Sequence, residues 1–334
     1  MPRVLSAFIC LLFLSFAPAP LLAQCNGQDT RHLAPPEHQQ NVQERLANEP
    51  FVSGNHWIAR RGDRSIHVVG TMHLNTPGIA ERATALSGIL AEMDALYLEA
   101  TIEDLKHFER RLSLSPELTF ITEGPSLIDR LPAEDWQSLS QMAQSSGIPG
   151  WMAAKMRPWF LAISLSIMPC MKGQKDIADG LDHRLAVAAQ DLKIPSFSLE
   201  DPMIAIHMLN QGTVDEQIAQ MRPHLAMMGN TQGNADTIAS MFAAYFEEEA
   251  LAFMELQKED FLSKTDLPQS EAIAIWDDFF DDLIVQRNQN WMPVIEAAEG
   301  DRIMVAVGTL HLPGTGGLLD LLQAEGYELE RAPF

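Results

Sequence analysis

One five-residue phrase occurs twice in the chain: Gly70-Thr71-Met72-His73-Leu74 and Gly308-Thr309-Leu310-His311-Leu312. Imidazole binds metals and moves protons near neutral pH. Glycine lets the backbone turn or approach a ligand closely. Each copy follows an apolar run, Ile66-His67-Val68-Val69 or Ile303-Met304-Val305-Ala306-Val307, that reads as a buried strand. If the two strand ends are neighbours in one sheet, imidazoles from opposite ends of the chain share a site.

Other residues could complete such a site. Glu99 ends the apolar run Ala95-Leu96-Tyr97-Leu98, where a carboxylate can bind a cation, orient a histidine or act as general base. Glu200 ends a second run, Lys193 to Leu199, and could cap its strand or join the site. Arg287-Asn288 lies in the long helical stretch before the second copy; a guanidinium aimed inward could clamp a carboxylate or an oxyanion. Arg157, in Met156-Arg157-Pro158-Trp159-Phe160, could line a substrate pocket or simply belong to a packed turn. His67 precedes His73 on the same strand face by parity and reads as a hydrogen-bonded core histidine.

These residues need elements to hold them. Asn55 to Arg60 and Ser65 to Val69 read as a hairpin turning at Gly62-Asp63-Arg64. Residues 78–93 have helical spacing of apolar groups. Residues 101–265 read as mostly helical, cut by prolines and interrupted by the strand at 193–200. A long helix is predicted from Ser270 to Glu299, bending near Pro293. The second motif strand follows, then a glycine-rich turn, a helix at 318–325 and an edge strand at 328–332. The predicted fold is α/β (α+β): a central mixed β-sheet flanked by helices, with a helical middle lobe.

The chain has 334 residues, 46% hydrophobic, and a net charge of −22. That charge repels phosphate backbones, so nucleic-acid binding is not expected. Arg3, the apolar stretch Val4–Phe16 and the small residues up to Ala23 read as an export signal cut after Ala23. The stretch is too short for a membrane span. Residues 24–334 then form one exported domain, expected in the periplasm or outside the cell. Gln24 argues against a lipoprotein at Cys25. Cleavage leaves two cysteines, Cys25 and Cys170, an even pair that suggests one disulfide in an oxidising compartment.

There is no Gly-x-Ser-x-Gly elbow, no His-Glu-x-x-His helix and no P-loop or dinucleotide fingerprint. The ordered set of short phrases is specific, however. It runs from Cys25 and Gly27 through Gly70 to His73, Leu98-Glu99, Glu123 to Leu127, Ala153 to Trp159, Pro169-Cys170 and Gly180-Leu181-Asp182. It continues through Leu199-Glu200 and Arg287 to Pro293, and ends at Gly308 to Gly314. This set resembles the TraB/GumN family, grouped with Tiki-type proteases, erythromycin esterases and haem-binding ChaN proteins.

The resemblance implies a site of two Gly-x-x-His motifs, Gly70 with His73 and Gly308 with His311, plus Glu99 and Arg287. The Tiki branch implies a divalent-metal-dependent peptidase, with manganese or cobalt held by His73, His311 and Glu99, and a peptide or small-molecule substrate. Arg287 would stabilise the oxyanion, while Arg157, Asn288 and Glu200 would contact substrate. The esterase branch implies a metal-independent hydrolase with His73 as base. The ChaN branch implies a binding protein for a small ligand such as haem.

Overall fold

The structure, a computed structural model, describes residues 27–166, 176–228, 231–265 and 267–334. The expected leader and the Cys25–Cys170 pair lie outside the described residues. Six strands form one mixed sheet: β1 (His56–Arg61), β2 (Arg64–Thr71), β3 (Ala95–Leu98), β4 (Ser196–Ser198), β5 (Arg302–Gly308) and β6 (Glu328–Arg331), in spatial order β4-β3-β5-β2-β1-β6. Strands β2, β5, β3 and β4 run parallel; β1 pairs antiparallel with β2 and β6. The two motif strands are direct neighbours, with Thr71 opposite Gly308.

Of the parallel strands, β3, β5 and the second half of β2 are buried on both faces, which is why they read as continuous apolar runs; β4 at the edge is partly exposed. Ile66, Val68, Ile303 and Val305 pack on one side with Trp291, Ile295, Leu318 and Leu322. Val69, Leu96, Met304 and Ala306 pack on the other with Ile79, Leu86 and Leu90 of the helix Ile79–Leu90 and Leu181 and Leu185 of the helix Leu181–Leu192. The sheet is therefore the middle of three layers.

Within the helical middle region, Leu181–Leu192 and β4 pack with the sheet. A separate core joins Ile121, Leu127, Leu139, Leu161 and Met221. The predicted helix at 270–299 is also interrupted. It runs Gln269–Phe280, passes through a π-helical segment at Asp281–Val285, and continues as Gln286–Glu296 with Pro293 inside.

The hairpin holds a pair of imidazoles. His56 Nδ1 faces the Pro333 carbonyl at 2.8 Å, and its Nε2 faces His67 Nδ1 at 3.0 Å. The carbonyl only accepts, so His56 carries its proton on Nδ1, and His67 donates to the free His56 Nε2. Burial lowers the pKa of His56, against the pull of Pro333 and Glu248. Burial, His56 and Arg60 together bring His67 down to about 4.

Between pH 6.5 and about 4 the unfolded chain takes up a proton at His67 that the folded chain excludes. Stability is therefore expected to fall on acidification through this window. His67→Gln should flatten that slope in urea unfolding at pH 7 and pH 5; an unchanged slope would contradict the assignment.

Candidate functional site

Four parallel strands end on one side of the sheet, and each end supplies a side chain. His73 follows β2, Glu99 follows β3, Glu200 follows β4 and His311 follows β5. The carboxyl ends of parallel strands are where open α/β sheets place ligands. Gly308 lies beneath the meeting point. A Cβ there would stand 3.2 Å from Glu99 Oε1, 3.5 Å from His73 Nε2 and 3.6 Å from His311 Cδ2.

Glu99 is fixed from two sides. Its Oε1 accepts from the Gly308 amide at 2.8 Å, and its Oε2 accepts from Arg287 Nη2 at 2.6 Å. Arg287 also donates Nε and Nη2 to Glu200 Oε1, at 2.9 and 2.6 Å, and Nη1 to the Leu283 carbonyl at 3.1 Å. Glu200 Oε2 accepts from Trp291 Nε1 at 3.0 Å. The π-helical segment immediately precedes Arg287, a common irregularity at functional sites. From there Arg287, Asn288 and Trp291 share one helix face, and all three are buried.

Each imidazole has a second partner that sets its tautomer. Asn288 Nδ2 donates to the carbonyls of His311 and Gly316, at 3.2 and 3.0 Å. Its Oδ1 must then accept, and it lies 2.7 Å from His311 Nδ1. His73 Nδ1 lies 3.2 Å from Asp182 Oδ2, which as a carboxylate also accepts. Both rings therefore carry a proton on Nδ1 and turn Nε2 toward Glu99 Oε1, at 3.8 Å from His73 and 3.9 Å from His311.

The two rings are electrostatically unlike. The Asp182 hydrogen bond outweighs burial and, with the charges of Asp182 and Glu99, raises His73 to about 9, against the opposing charge of Arg287. Burial lowers His311 to about 3; Glu99 opposes this, while Arg287 and His73 add to it. Burial also disfavours the charged form of Glu99, but the imidazoles of His311 and His73, the Arg287 guanidinium and the Gly308 amide bring its pKa down to about 2. At neutral pH His73 is positive, His311 neutral and Glu99 negative.

The structure thus brings His73, His311, Glu99, Arg287, Asn288, Glu200 and Gly308 together. It changes the expected role of several. Arg287 is 7% exposed and spends its nitrogens on Glu99, Glu200, Leu283 and His311, so it positions these groups instead of meeting an oxyanion. Asn288 is fully buried, and the Glu200 side chain is 6% exposed; both support neighbours in the centre. Arg157 points elsewhere, with Nε donating to the Glu117 carbonyl at 2.9 Å. Gly70 serves packing: a Cβ there would meet Thr309 Oγ1 at 2.9 Å.

Asp182 is the residue that sequence reasoning left without a role. It sits in the first turn of the helix Leu181–Leu192, where an acid suits the helix dipole. That helix docks on the first motif through Leu181 N–H to the Met72 carbonyl, 2.8 Å. Its signal was the phrase Gly180-Leu181-Asp182, whose glycine is required by contact. A Cβ on Gly180 would stand 2.2 Å from the Met72 carbonyl oxygen.

The donor chemistry fits a divalent cation. Two imidazole Nε2 atoms and one carboxylate oxygen converge, and each ring is braced at Nδ1 by an oxygen, the usual outer shell of metal-binding histidines. Glu99 and Glu200 face one guanidinium and Asp182 faces His73, leaving negative charge for a cation to neutralise. The donors are not closed around a point, however: among the described residues no group of three His, Cys, Asp or Glu stands ready to ligate. Arg287 Nη1, 3.3 Å from His311 Nε2, occupies part of that space.

Fold and site together define an α/β protein with a paired-histidine, carboxylate and arginine centre at the strand ends. The TraB/PrgY/gumN family matches residues 55–331, and the chain belongs to this family. It is 26% identical over 280 residues to the "Uncharacterized protein YbaP" of Escherichia coli (strain K12), covering 81% of this chain and 94% of that protein. The YbaP of Shigella flexneri matches with the same identity and coverage.

Gly180→Ala should cost about 1–3 kcal/mol in urea unfolding, because backbone atoms must move. Gly308→Ala should leave the fold intact, since φ there is −49° and the nearest group is a side-chain end. It should still shift the imidazole ¹⁵N resonances of His73 and His311. Equal destabilisation by the two variants would refute this. Asp182→Ala should lower the His73 pKa from about 9 toward 6.5, read by NMR titration; an unmoved pKa would show that Asp182 does not set it.

Proposed function

We propose that this chain is an exported peptidase assisted by a divalent cation, manganese or cobalt, held by His73, His311 and Glu99. The observation that carries this reading is the approach of two imidazole Nε2 atoms to one oxygen, Glu99 Oε1. Three protein donors leave the open position that catalysis needs. A cation bound there supplies Lewis acidity, polarising a carbonyl and lowering the pKa of water.

The remaining roles fall to the chain. The His73 side chain is 60% exposed and that of His311 4%, so substrate enters from the His73 side. Glu99 Oε1 lies beside both imidazoles, while Arg287 holds its other oxygen; because a bound cation would lower the pKa of water, even so weak a base could take its proton. Amide cleavage, rather than another hydrolysis, rests on the resemblance to Tiki-type proteases. Export rests on the leader read in residues 1–23. Among the described residues no helix is long and apolar enough to cross a membrane.

One observation favours hydrolysis without a metal: Arg287 already places positive charge beside His311 Nε2. In that reading, however, the protein lacks a suitable base. His73 is protonated at neutral pH, His311 is buried with a pKa of about 3, and Glu99 is far more acidic than the about 7 that suits a general base.

Equilibrium dialysis against Mn²⁺ or Co²⁺ should load about one ion per chain, and His73→Ala and His311→Ala should abolish loading while keeping the wild-type circular dichroism. Uptake displaces the proton on His73, so affinity should rise as pH rises toward about 9. Chelator should remove peptidase activity and added metal restore it. Hydrolysis that survives chelation would overturn the metal.

A further inference from the structure

A cavity of about 320 Å³ opens between β4 and the helix Ile102–Leu114 that follows β3. Asp104, His107, Phe108, Arg111, Ser198 and Glu200 line it, with Asp201 and Pro202 at its edge. It adjoins the site described above, because Glu200 is common to both. One carboxylate oxygen of Glu200 holds Arg287, which holds Glu99. Strands β3 and β4 are paired with Leu98 opposite Ser198. Paired strands are about 4.8 Å apart, so the cavity lies within one residue's reach of Glu99.

The charges lining the cavity are unequally paired. Glu200 is bound by Arg287 and Trp291. Asp201 is bound by Arg111 at 2.7 Å and by the Met203 amide at 2.9 Å. Arg111, the one arginine of the lining, is thereby matched. Asp104 is held by the hydroxyls of Thr101 and Ser198, groups that orient a carboxylate without neutralising it. The Phe108 ring and Pro202 supply apolar wall. Among the described residues Asp104 has no cationic partner, and an acid so placed beside an apolar wall suits an ammonium or guanidinium carried on an aliphatic stem.

We propose that this cavity is the subsite for a lysine or arginine side chain of the substrate, an inference that rests on the peptidase reading above. Asp104 receives the cationic head, and Phe108 packs along the stem. The net charge of −22 draws such substrates to the surface.

The test is equilibrium binding to the full chain in the presence of chelator, so that no bond is cut. The probes are acetylated, amidated Ala-Lys-Ala, Ala-Leu-Ala and Ala-Glu-Ala. The lysine peptide should bind about tenfold tighter than the leucine peptide, and the glutamate peptide weakest. Asp104→Asn keeps an acceptor for both hydroxyls and should erase the lysine preference while leaving leucine-peptide affinity unchanged. Phe108→Ala should weaken the lysine and leucine peptides alike.

A lysine-to-leucine ratio unmoved by Asp104→Asn would overturn the subsite, as would tightest binding of the glutamate peptide or no peptide binding at all. Lysine preference without cleavage in a metal-loaded assay would instead overturn the peptidase reading and leave the subsite standing.

Discussion

The guanidinium of Arg287 bridges the ends of β3 and β4 from the helix Gln286–Glu296, which packs on one face of the sheet. Its side chain is 8% exposed, and the two carboxylates it pairs are 19% and 6% exposed. Burying three charges costs desolvation energy that only close geometry offsets, and removing one partner of such a set typically costs about 3–5 kcal/mol. The geometry here is close because the π-helical segment ends where Arg287 begins, and the guanidinium folds back on the Leu283 carbonyl. Trp291 reinforces the arrangement. It lies under the guanidinium at 5.0 Å, donates to Glu200, and packs at a tilt of 40° against the His311 ring, 4.4 Å away. Glu99, Glu200 and His311 therefore hold their places through one helix.

The repeated phrase is symmetric in spelling and asymmetric in setting. After β5 the chain enters a tight 3-10 turn, Thr309–His311, beneath the helix Gln286–Glu296, so His311 loses its water and its charge. After β2 the His73 side chain is 60% exposed, and Asp182 holds it positive. A buried neutral ring and an exposed charged one thus face the same carboxylate oxygen. The proton on His73 answers the negative charge that Glu99 and Asp182 turn toward that ring. A cation at the proposed site would compete with that proton for one electrostatic position.

Much of this could be read from the residues. The apolar runs gave the strands, since strands buried on both faces cannot hide in a polar sequence. The paired Gly-Thr-x-His phrases placed β2 beside β5, and the acid after each run placed Glu99 and Glu200. What could not be read is what depends on distance between segments. Nothing in the sequence around Asp182 distinguishes an acid facing His73 from one that merely complements a helix dipole. The π-helical segment at Asp281–Val285 shifts a hydrogen-bond ladder by one residue and leaves no mark in composition. Arg287, on a helix among apolar residues, could be read as a surface or salt-bridge residue or as one aimed into the site, and neither reading showed the two carboxylates that it pairs. Arg157 sat in a phrase shared with the family, yet its guanidinium serves a turn.

The short length of β4 links the strand-end site to the cavity beside it. Three residues pair with β3, and the chain then turns at Glu200-Asp201-Pro202 into the helix Met203–Leu209. Glu200 lies at that turn, where its side chain reaches Arg287. The helix Ile102–Leu114, capped at Thr101 and bonded to Ser198 through Asp104, crosses the same strand end. A longer β4 would carry Glu200 past Arg287 and fill the gap below that helix. The early stop satisfies a buried charge on one side and leaves a cavity on the other. Any substrate group entering that cavity therefore lies one side chain away from the guanidinium that fixes Glu99.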